Sequence, residues 1–144
     1  MSLLDWMMIF LKTGRELISY PKLLKSVFSA IKIKNITAEK LFEIQKNYMA
    51  SLFVIDVRNT DEYYGDEGYI ISSINIPMKK IIYNLKSLEK YKNNTLVIVC
   101  SIGRRSRIIT RYLEFHGYFN VRNLSGGIKR WTEIGFPINV NKKG

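Results

Sequence analysis

The feature that most constrains the fold is a short apolar run that ends in the chain's only cysteine. Residues 96–99 are Leu-Val-Ile-Val, and Cys100 follows them directly. A continuous run of this kind is typical of a strand that is buried on both faces of a parallel sheet. Beyond Gly103, apolar residues recur at helical intervals: Ile108, Ile109, Tyr112, Leu113 and Phe115. The pattern therefore predicts a parallel strand, a short loop at its carboxyl end, and a helix.

This arrangement would place Cys100 beneath the amino terminus of a helix, at the sheet edge where open α/β folds bind ligands. Helix amino termini expose free N–H groups and carry partial positive charge, and Arg104, Arg105 and Arg107 add full charges. Such surroundings favour the thiolate, which is the nucleophilic form of cysteine. The alternative is a small buried hydrophobic residue, which is how many free cysteines behave. The loop and the arginines favour the reactive cysteine.

The counts of cysteine and histidine exclude several kinds of site. A chain of 144 residues has the size of one domain, and 47% hydrophobic residues are enough for a core. A single cysteine excludes an intrachain disulfide, a CxxC redox pair and a cysteine-rich metal site. The single histidine, His116, excludes clustered histidine ligands. We therefore expect neither a metal nor a cofactor.

The net charge of +11 comes from the carboxyl-terminal half of the chain. Residues 1–72 contain 9 basic and 9 acidic residues, whereas residues 73–144 contain 14 and 3. A positive field attracts small anions, acidic proteins, nucleic acid or anionic lipid. No motif of interleaved basic and aromatic residues accompanies the charge, so we expect no nucleic-acid binding.

Residues 1–31 are assigned to a helical extension of the domain. Residues 3–11 are apolar apart from Asp5, and Pro21 separates them from a second helical pattern at residues 23–31. The apolar run is shorter than the about 20 residues that cross a bilayer, and it lacks the features of a signal peptide. We expect a cytoplasmic protein, peripheral at the membrane if the extension lies on a lipid surface. Packing on its own domain and self-association are the alternatives.

From residue 32 to residue 144, strand and helix patterns alternate within one predicted α/β domain. Predicted strands lie at residues 35–36, 52–57, 74–77, 96–100 and 120–124. Four helices are predicted. The first begins after Thr37, its N-cap; the second runs through residues 81–88; the third and fourth cover residues 104–116 and 127–133. His116 closes the third helix, where a cation suits the carbonyl end, and Gly117 is the expected C′ residue. The alternation implies parallel crossovers, with the strands at 52–57 and 96–100 adjacent and central.

Several separated segments carry a family resemblance. Asp56-Val57-Arg58 is followed by Glu62, GYIISSINIP occupies residues 68–77, and CSIGRRS occupies residues 100–106. The later segments are GYFNV at 117–121, LSGG at 124–127, Trp131 and GFP at 135–137. In this order, over roughly residues 34–139, they resemble the DVR…E, GHIxGAxNIP, active-loop and closing segments of single-domain rhodaneses, which are sulfurtransferases.

The resemblance implies a mostly parallel five-stranded sheet flanked by helices, and a catalytic Cys100 that carries a persulfide. It also implies that the substrate, a small sulfur-containing anion such as thiosulfate, is bound by the loop residues Ser101, Ile102, Gly103, Arg104, Arg105 and Ser106. The basic half of the chain favours an acidic protein as a sulfur acceptor. Asp56, Arg58 and Glu62 are expected to support the site, with an Arg58–Glu62 ion pair at the end of the sheet.

Two other functions stay open. Cysteine phosphatases and arsenate reductases on related folds use Cys-x5-Arg, in which the arginine clamps two oxygens. Here the position six residues after Cys100 is Ser106, which argues against that chemistry. A non-catalytic module that binds a partner protein would be expected to have a degraded loop, and this loop is intact. Tyr69 in place of a histidine, and Ser72-Ser73 in place of Gly-Ala, depart from the family and concern local packing.

Overall fold

The computed structural model describes residues 30–47 and 51–141 of the chain. The described residues from Ile33 onward belong to one unit. The helical extension, its break at Pro21 and the domain boundary at residue 31 fall almost wholly outside the described residues, so they stay predictions. Within the described ranges, no helix is long and apolar enough to cross a bilayer.

Within the described residues, seven strands build a central sheet and a small separate ribbon. They are β1 (Asn35–Ile36), β2 (Leu52–Asp56), β3 (Tyr69–Ile70), β4 (Ile74–Asn75), β5 (Thr95–Val99), β6 (Val121–Leu124) and β7 (Ile138–Asn139). The central sheet is parallel with the order β1–β6–β5–β2–β4, and β3 pairs antiparallel with β7. β2 and β5 are adjacent, in register from Leu52 with Thr95 to Asp56 with Val99. The predicted five-stranded parallel sheet is confirmed, whereas the β3–β7 ribbon was not predicted.

The helices of the described residues occur in the predicted order, but one predicted helix is divided and a short helix at residues 60–63 was not predicted. They are α1 (Ala38–Lys46), α2 (Thr60–Tyr63), α3 (Met78–Tyr83), a 3₁₀ helix (Leu85–Tyr91), α4 (Arg104–Phe115) and α5 (Gly127–Ile134). The single helix predicted through residues 81–88 is wrong, because Asn84 adopts φ −145° and ψ 77° and divides it. Asparagine competes with the helical backbone for hydrogen bonds, which suits it to such a break. Thr37 caps α1 as predicted, with Oγ1 accepting the Lys40 N–H at 3.2 Å.

The end of α4 turns the chain back towards the sheet. Gly117 has φ 84° and donates to the Glu114 carbonyl at 3.1 Å, and the Tyr118 N–H donates to the Leu113 carbonyl at 3.0 Å. These two bonds form a Schellman motif, with the buried Tyr118 and Leu113 as its hydrophobic pair. Gly117 is therefore the C′ residue, as predicted, and the turn directs the chain into β6.

The core covers both faces of β5. Val97 and Val99 belong to a cluster with α1 and α5 that contains Leu41, Ile128 and Trp131. Because side chains alternate along a strand, Leu96 and Ile98 face the opposite side, and both are fully buried. Burial of each large apolar side chain contributes about 1.5–3 kcal/mol, so the strand that ends at Cys100 is firmly anchored.

Candidate active site

Cys100 lies directly after β5, at the carboxyl end of the central strand. Residues 101–103 form the loop, and α4 begins at Arg104. The cysteine is only 1% exposed, so its sulfur lies at the base of the loop rather than at the surface. Strand, loop and helix thus follow the predicted order and bring the amino terminus of α4 to the sulfur.

Three polar groups contact the sulfur of Cys100. The N–H groups of Gly103 and Ser106 donate to Sγ at 3.1 and 3.4 Å, and Ser106 Oγ lies 3.3 Å from Sγ. Gly103 is the N-cap of α4 and has φ 94°, a left-handed conformation that favours glycine. N–H groups aimed at one atom from a helix amino terminus stabilise negative charge on that atom. The arrangement can therefore hold an anionic sulfur.

The amino terminus of α5 braces the loop from behind. The Ile128 and Lys129 N–H groups donate to the carbonyls of Cys100 and Ser101, both at 3.0 Å. Because the N–H of a trans peptide points away from its carbonyl, the N–H groups of Ser101 and Ile102 face away from α5. Gly127 has φ 59°, and a Cβ there would overlap both carbonyl oxygens.

Arg105 was expected to face the substrate, and the structure pairs it with Glu62. Its Nη1 and Nη2 donate to Glu62 Oε2 and Oε1 at 2.7 and 2.8 Å. The hydrogen bond from Arg105 is the main reason that the pKa of Glu62 falls to about 2, with the Asn59 N–H acting in the same direction. Much of the charge of Arg105 is therefore balanced. Arg104 is exposed and forms no ion pair with a carboxylate of the described residues.

The predicted ion pair between Arg58 and Glu62 is wrong, because a nearer carboxylate takes the arginine. Arg58 Nη2 donates to Asp56 Oδ2 at 2.8 Å, and both side chains are fully buried. The same Nη2 donates to the Gly68 carbonyl at 2.7 Å, and Nη1 contacts Glu67 Oε2 at 3.3 Å. Burial raises the pKa of Asp56, and the hydrogen bonds from Arg58 oppose that rise. The pair fastens the end of β2, beside β5, to the loop at residues 67–68.

Two further contacts near the loop were missed from the sequence. Ser101 Oγ donates to Glu67 Oε2 at 3.3 Å, which ties the loop to the Arg58 network. Ser106 Oγ donates to Asn123 Oδ1 at 2.6 Å, and both residues are buried. Neither Glu67 nor Asn123 belongs to a motif of the family segments quoted above, so only the folded chain brings them to the site.

The outer rim of the loop is apolar and basic. Ile102 is 48% exposed, and the side chains of Arg104 and Arg107 are exposed on α4. Cavities of about 380 and 520 Å³ lie elsewhere in the described structure, since no loop residue lines either of them. The candidate site is the loop of residues 101–103 around the buried sulfur of Cys100.

The chain is similar to known proteins over most of its length. The Rhodanese-like domain family matches residues 37–134. The putative mitochondrial thiosulfate sulfurtransferase of Schizosaccharomyces pombe is 29% identical over 125 residues, which cover 76% of this chain and 87% of the relative. A sulfurtransferase of Allochromatium vinosum is 33% identical over 87 residues, covering 60% and 78%. The crystal structure of a rhodanese-related protein from Thermoplasma volcanium is 31% identical with a TM-score of 0.65, covering 75% of this chain and 99% of that one. Since the family match spans more than half of its length, this chain belongs to the rhodanese-like domain family.

Proposed function

We propose that this chain is a sulfurtransferase that moves a sulfane sulfur through a persulfide on Cys100. The observation that carries the proposal is the pair of backbone N–H groups, from Gly103 and Ser106, that point at the Cys100 sulfur. Family membership and the relatives named sulfurtransferases support sulfur transfer as the reaction class. The geometry supports the choice of nucleophile.

The first half of the reaction loads the cysteine. The Cys100 thiolate attacks the outer sulfur of thiosulfate, a new S–S bond forms, and the bond from that sulfur to the sulfonate sulfur breaks. Sulfite leaves with the electron pair of the broken bond, and Cys100 becomes a persulfide anion. A low-molecular-weight persulfide can serve as donor in the same way, with its thiolate as the leaving group. The loop N–H groups stabilise the anionic sulfur before and after transfer.

The second half returns the enzyme to its starting state. A nucleophile such as cyanide or a thiolate attacks the outer sulfur of the persulfide, and the electron pair of the S–S bond returns to Cys100. The products are thiocyanate, or a new persulfide, and the Cys100 thiolate. Because two substrates react in turn through one covalent intermediate, the kinetics should be ping-pong.

The exposed cations define where an anionic donor approaches. Arg105 is held by Glu62, so we assign the first contact with the donor to Arg104 and to the N–H groups at the start of α4. Lys129 adds an exposed positive charge on the α5 side of the loop, where its N–H binds the Ser101 carbonyl. An acidic protein that accepts sulfur would meet the same cations. Self-association or membrane contact through residues 1–31 remains part of the proposal.

The test is the mass of the intact protein after incubation with thiosulfate. The wild-type chain should gain one sulfur atom, and cyanide should remove it with formation of thiocyanate. Cys100→Ser is the matched control because it changes a single atom, and it should gain nothing. A Cys100→Ser variant that retains full sulfurtransferase activity, or a wild-type chain that never gains sulfur from thiosulfate or a small persulfide, would contradict the proposal. Hydrolysis of a phosphate ester that depends on Cys100 would favour the phosphatase alternative instead.

A further inference from the structure

Asn123 is a buried polar residue in the centre of the sheet. It lies on β6 between strands β1 and β5, and it is 3% exposed. A buried amide is costly unless its hydrogen bonds are made. Asn123 makes two with its side chain: Oδ1 accepts from Ser106 Oγ at 2.6 Å, and Nδ2 donates to Asn35 Oδ1 at 3.0 Å. The bond to Asn35 keeps Oδ1 directed at Ser106.

Ser106 stands between Asn123 and the reactive sulfur. Its Oγ lies 2.6 Å from Asn123 Oδ1 and 3.3 Å from Cys100 Sγ. A hydroxyl has one proton to donate, and the oxygen of a neutral amide can only accept. In the structure the proton of Ser106 therefore goes to Asn123, and a lone pair of Ser106 Oγ faces the sulfur. A Cys100 thiol satisfies that lone pair by donating its S–H.

Ionisation of Cys100 changes this pattern of hydrogen bonds. A thiolate has no proton to donate, so the lone pair of Ser106 Oγ that faces it loses its donor. The N–H groups of Gly103 and Ser106 still donate to Sγ, and the Ser106 hydroxyl adds a further hydrogen bond only if it turns towards the sulfur. When the hydroxyl turns, the buried Oδ1 of Asn123 loses its donor, and an unsatisfied buried acceptor is unfavourable. The anion of Cys100 thus gains a hydrogen bond only when Asn123 gives one up.

We propose that Asn123 competes with the Cys100 sulfur for the hydroxyl proton of Ser106, and that it is a positioning residue which restrains ionisation of the cysteine. The inference rests on the proposed role of Cys100 as nucleophile and deepens it. Asn123 does not touch the substrate; it acts through Ser106. The competition keeps the resting thiol hydrogen-bonded and makes the additional hydrogen bond of the thiolate depend on one rotation of a hydroxyl.

The charged groups around Cys100 lie on other elements and are unchanged by substitution of Asn123. Arg104 and Arg105 lie in the first turn of α4, and Arg105 is balanced by Glu62. Further charged groups near the loop, at the end of β2, beside Ser101 and on α5, are Asp56, Arg58, Glu67 and Lys129. A change in reactivity caused by Asn123→Leu therefore reports on the neutral hydrogen-bond chain rather than on these charges.

The test measures alkylation of the full chain by iodoacetamide as a function of pH. Cys100 is the only cysteine, so intact mass reports its reaction without ambiguity. The thiolate displaces iodide and forms a C–S bond, and the thiol proton passes to solvent. Asn123→Leu frees the Ser106 hydroxyl for the sulfur. Below the midpoint of the pH profile, the variant should therefore be alkylated roughly threefold to tenfold faster than wild type, because one hydrogen bond supplies a difference of this size.

In the Asn123→Leu background, Ser106→Ala should move the profile back to higher pH, because the charge-assisted hydroxyl bond that the thiolate loses is stronger than the S–H bond that the thiol loses. In the Ser106→Ala background, Asn123→Leu should have no further effect on the profile, since the competition needs the hydroxyl. The matched control is Thr110→Val, which removes a buried hydroxyl one turn later on α4 that bonds only the Ser106 carbonyl, at 2.8 Å. Its profile should coincide with that of wild type.

The proposal is overturned if Asn123→Leu reacts as wild type does, if its effect persists without Ser106, or if Ser106→Ala shifts the profile of Asn123→Leu to lower pH or not at all. Should Asn123→Leu fail to fold, Asn123→Ala replaces it in each of these comparisons. Alkylation needs no sulfur donor. A chain that alkylates as expected but gains no sulfur from thiosulfate would contradict the proposed function and leave this inference standing. A chain that gains sulfur from thiosulfate but whose variants do not alkylate as expected would contradict this inference and leave the proposed function standing.

Discussion

Glu62 and Arg105 form a two-pronged ion pair, with N–O distances of 2.7 and 2.8 Å, that joins α2 to the first turn of α4. The two residues are 43 positions apart in sequence, and each side chain is 33% exposed. The pair sets the direction of Arg105 beside the cysteine loop. It also links the segment that follows β2 to the helix whose amino terminus holds the sulfur.

Glu62→Gln should make the free energy of unfolding less dependent on pH in the acid range. The pKa of Glu62 is about 2 in the folded chain, below its ordinary value of 4.5, so the pair's contribution is complete above pH 4.5 and is lost as the pH falls towards 2. With a third of each side chain exposed, we expect Glu62→Gln to cost about 0.5–1 kcal/mol at pH 7. The gap in urea-unfolding free energy between variant and wild type should shrink at pH 3.

The control for this prediction is Glu43→Gln, which breaks the exposed Lys40–Glu43 pair on α1. Each of these side chains is 59% exposed, so the substitution should change stability little at either pH. If the unfolding free energies of Glu62→Gln and Glu43→Gln had the same pH dependence, the ion pair of Glu62 with Arg105 would not stabilise the fold as expected.

Gly127→Ala should damage both stability and sulfur loading. The added Cβ would overlap the carbonyl oxygens of Cys100 and Ser101, which α5 holds by hydrogen bonds. We expect a loss of about 2–4 kcal/mol, as for other substitutions that force a backbone shift, together with slower persulfide formation. Gly135→Ala is the control: its φ is 87° but its Cβ meets nothing within 4 Å, so it should cost only about 1–2 kcal/mol and leave the chemistry intact. If both variants had equal effects on urea unfolding and on persulfide yield, the proposed support of the loop by α5 would be contradicted.

Ser72→Gly should stabilise the chain by up to about 1 kcal/mol. Ser72 is the one residue other than glycine with positive φ in the described ranges, at 68°, and a side chain is strained there. It is also the position at which the resemblance expects glycine, so the departure noted in the sequence has a measurable cost. Lys86→Gly, at an exposed position of the 3₁₀ helix, is the control and should destabilise, because glycine adds freedom to the unfolded chain without relieving strain. A lower thermal midpoint for Ser72→Gly would refute the prediction.

The sequence was sufficient to predict the elements that rest on long apolar patterns. The buried run before Cys100, the cap at Thr37 and the end of α4 at Gly117 each depend on residues close together in the chain. The partners of Arg58 and Arg105 depend on which carboxylate the fold brings nearest, and spacing alone favoured the wrong one for Arg58. His116 ends α4 as predicted, but burial lowers the pKa of its imidazole and Lys92 acts in the same direction, which disfavours the cation that suits a helix carboxyl end.

The parts of the site that were missed share a physical cause. The bonds from α5 to the loop carbonyls and the bond from Ser106 to Asn123 join segments 17 or more residues apart, and neither changes the apolar pattern of its own segment. The β3–β7 ribbon has only two residues in each strand, too few for alternation to appear. Features of this kind become visible only when distant backbone and side-chain groups are placed against one another.

Cys100 should discriminate between reagents by size. The residue is 1% exposed and its sulfur lies beneath the loop, so a small reagent such as iodoacetamide can reach it more readily than an aromatic disulfide such as Ellman's reagent. We expect the native chain to react with the aromatic disulfide at least about tenfold more slowly, relative to iodoacetamide, than the urea-unfolded chain does, because exposure and access govern thiol reactivity alongside ionisation. The measurement is the ratio of the two second-order rate constants at one pH, in the native and unfolded states. An unchanged ratio would mean that the loop leaves the sulfur open, and a large protein acceptor could then approach it without any movement of residues 101–103.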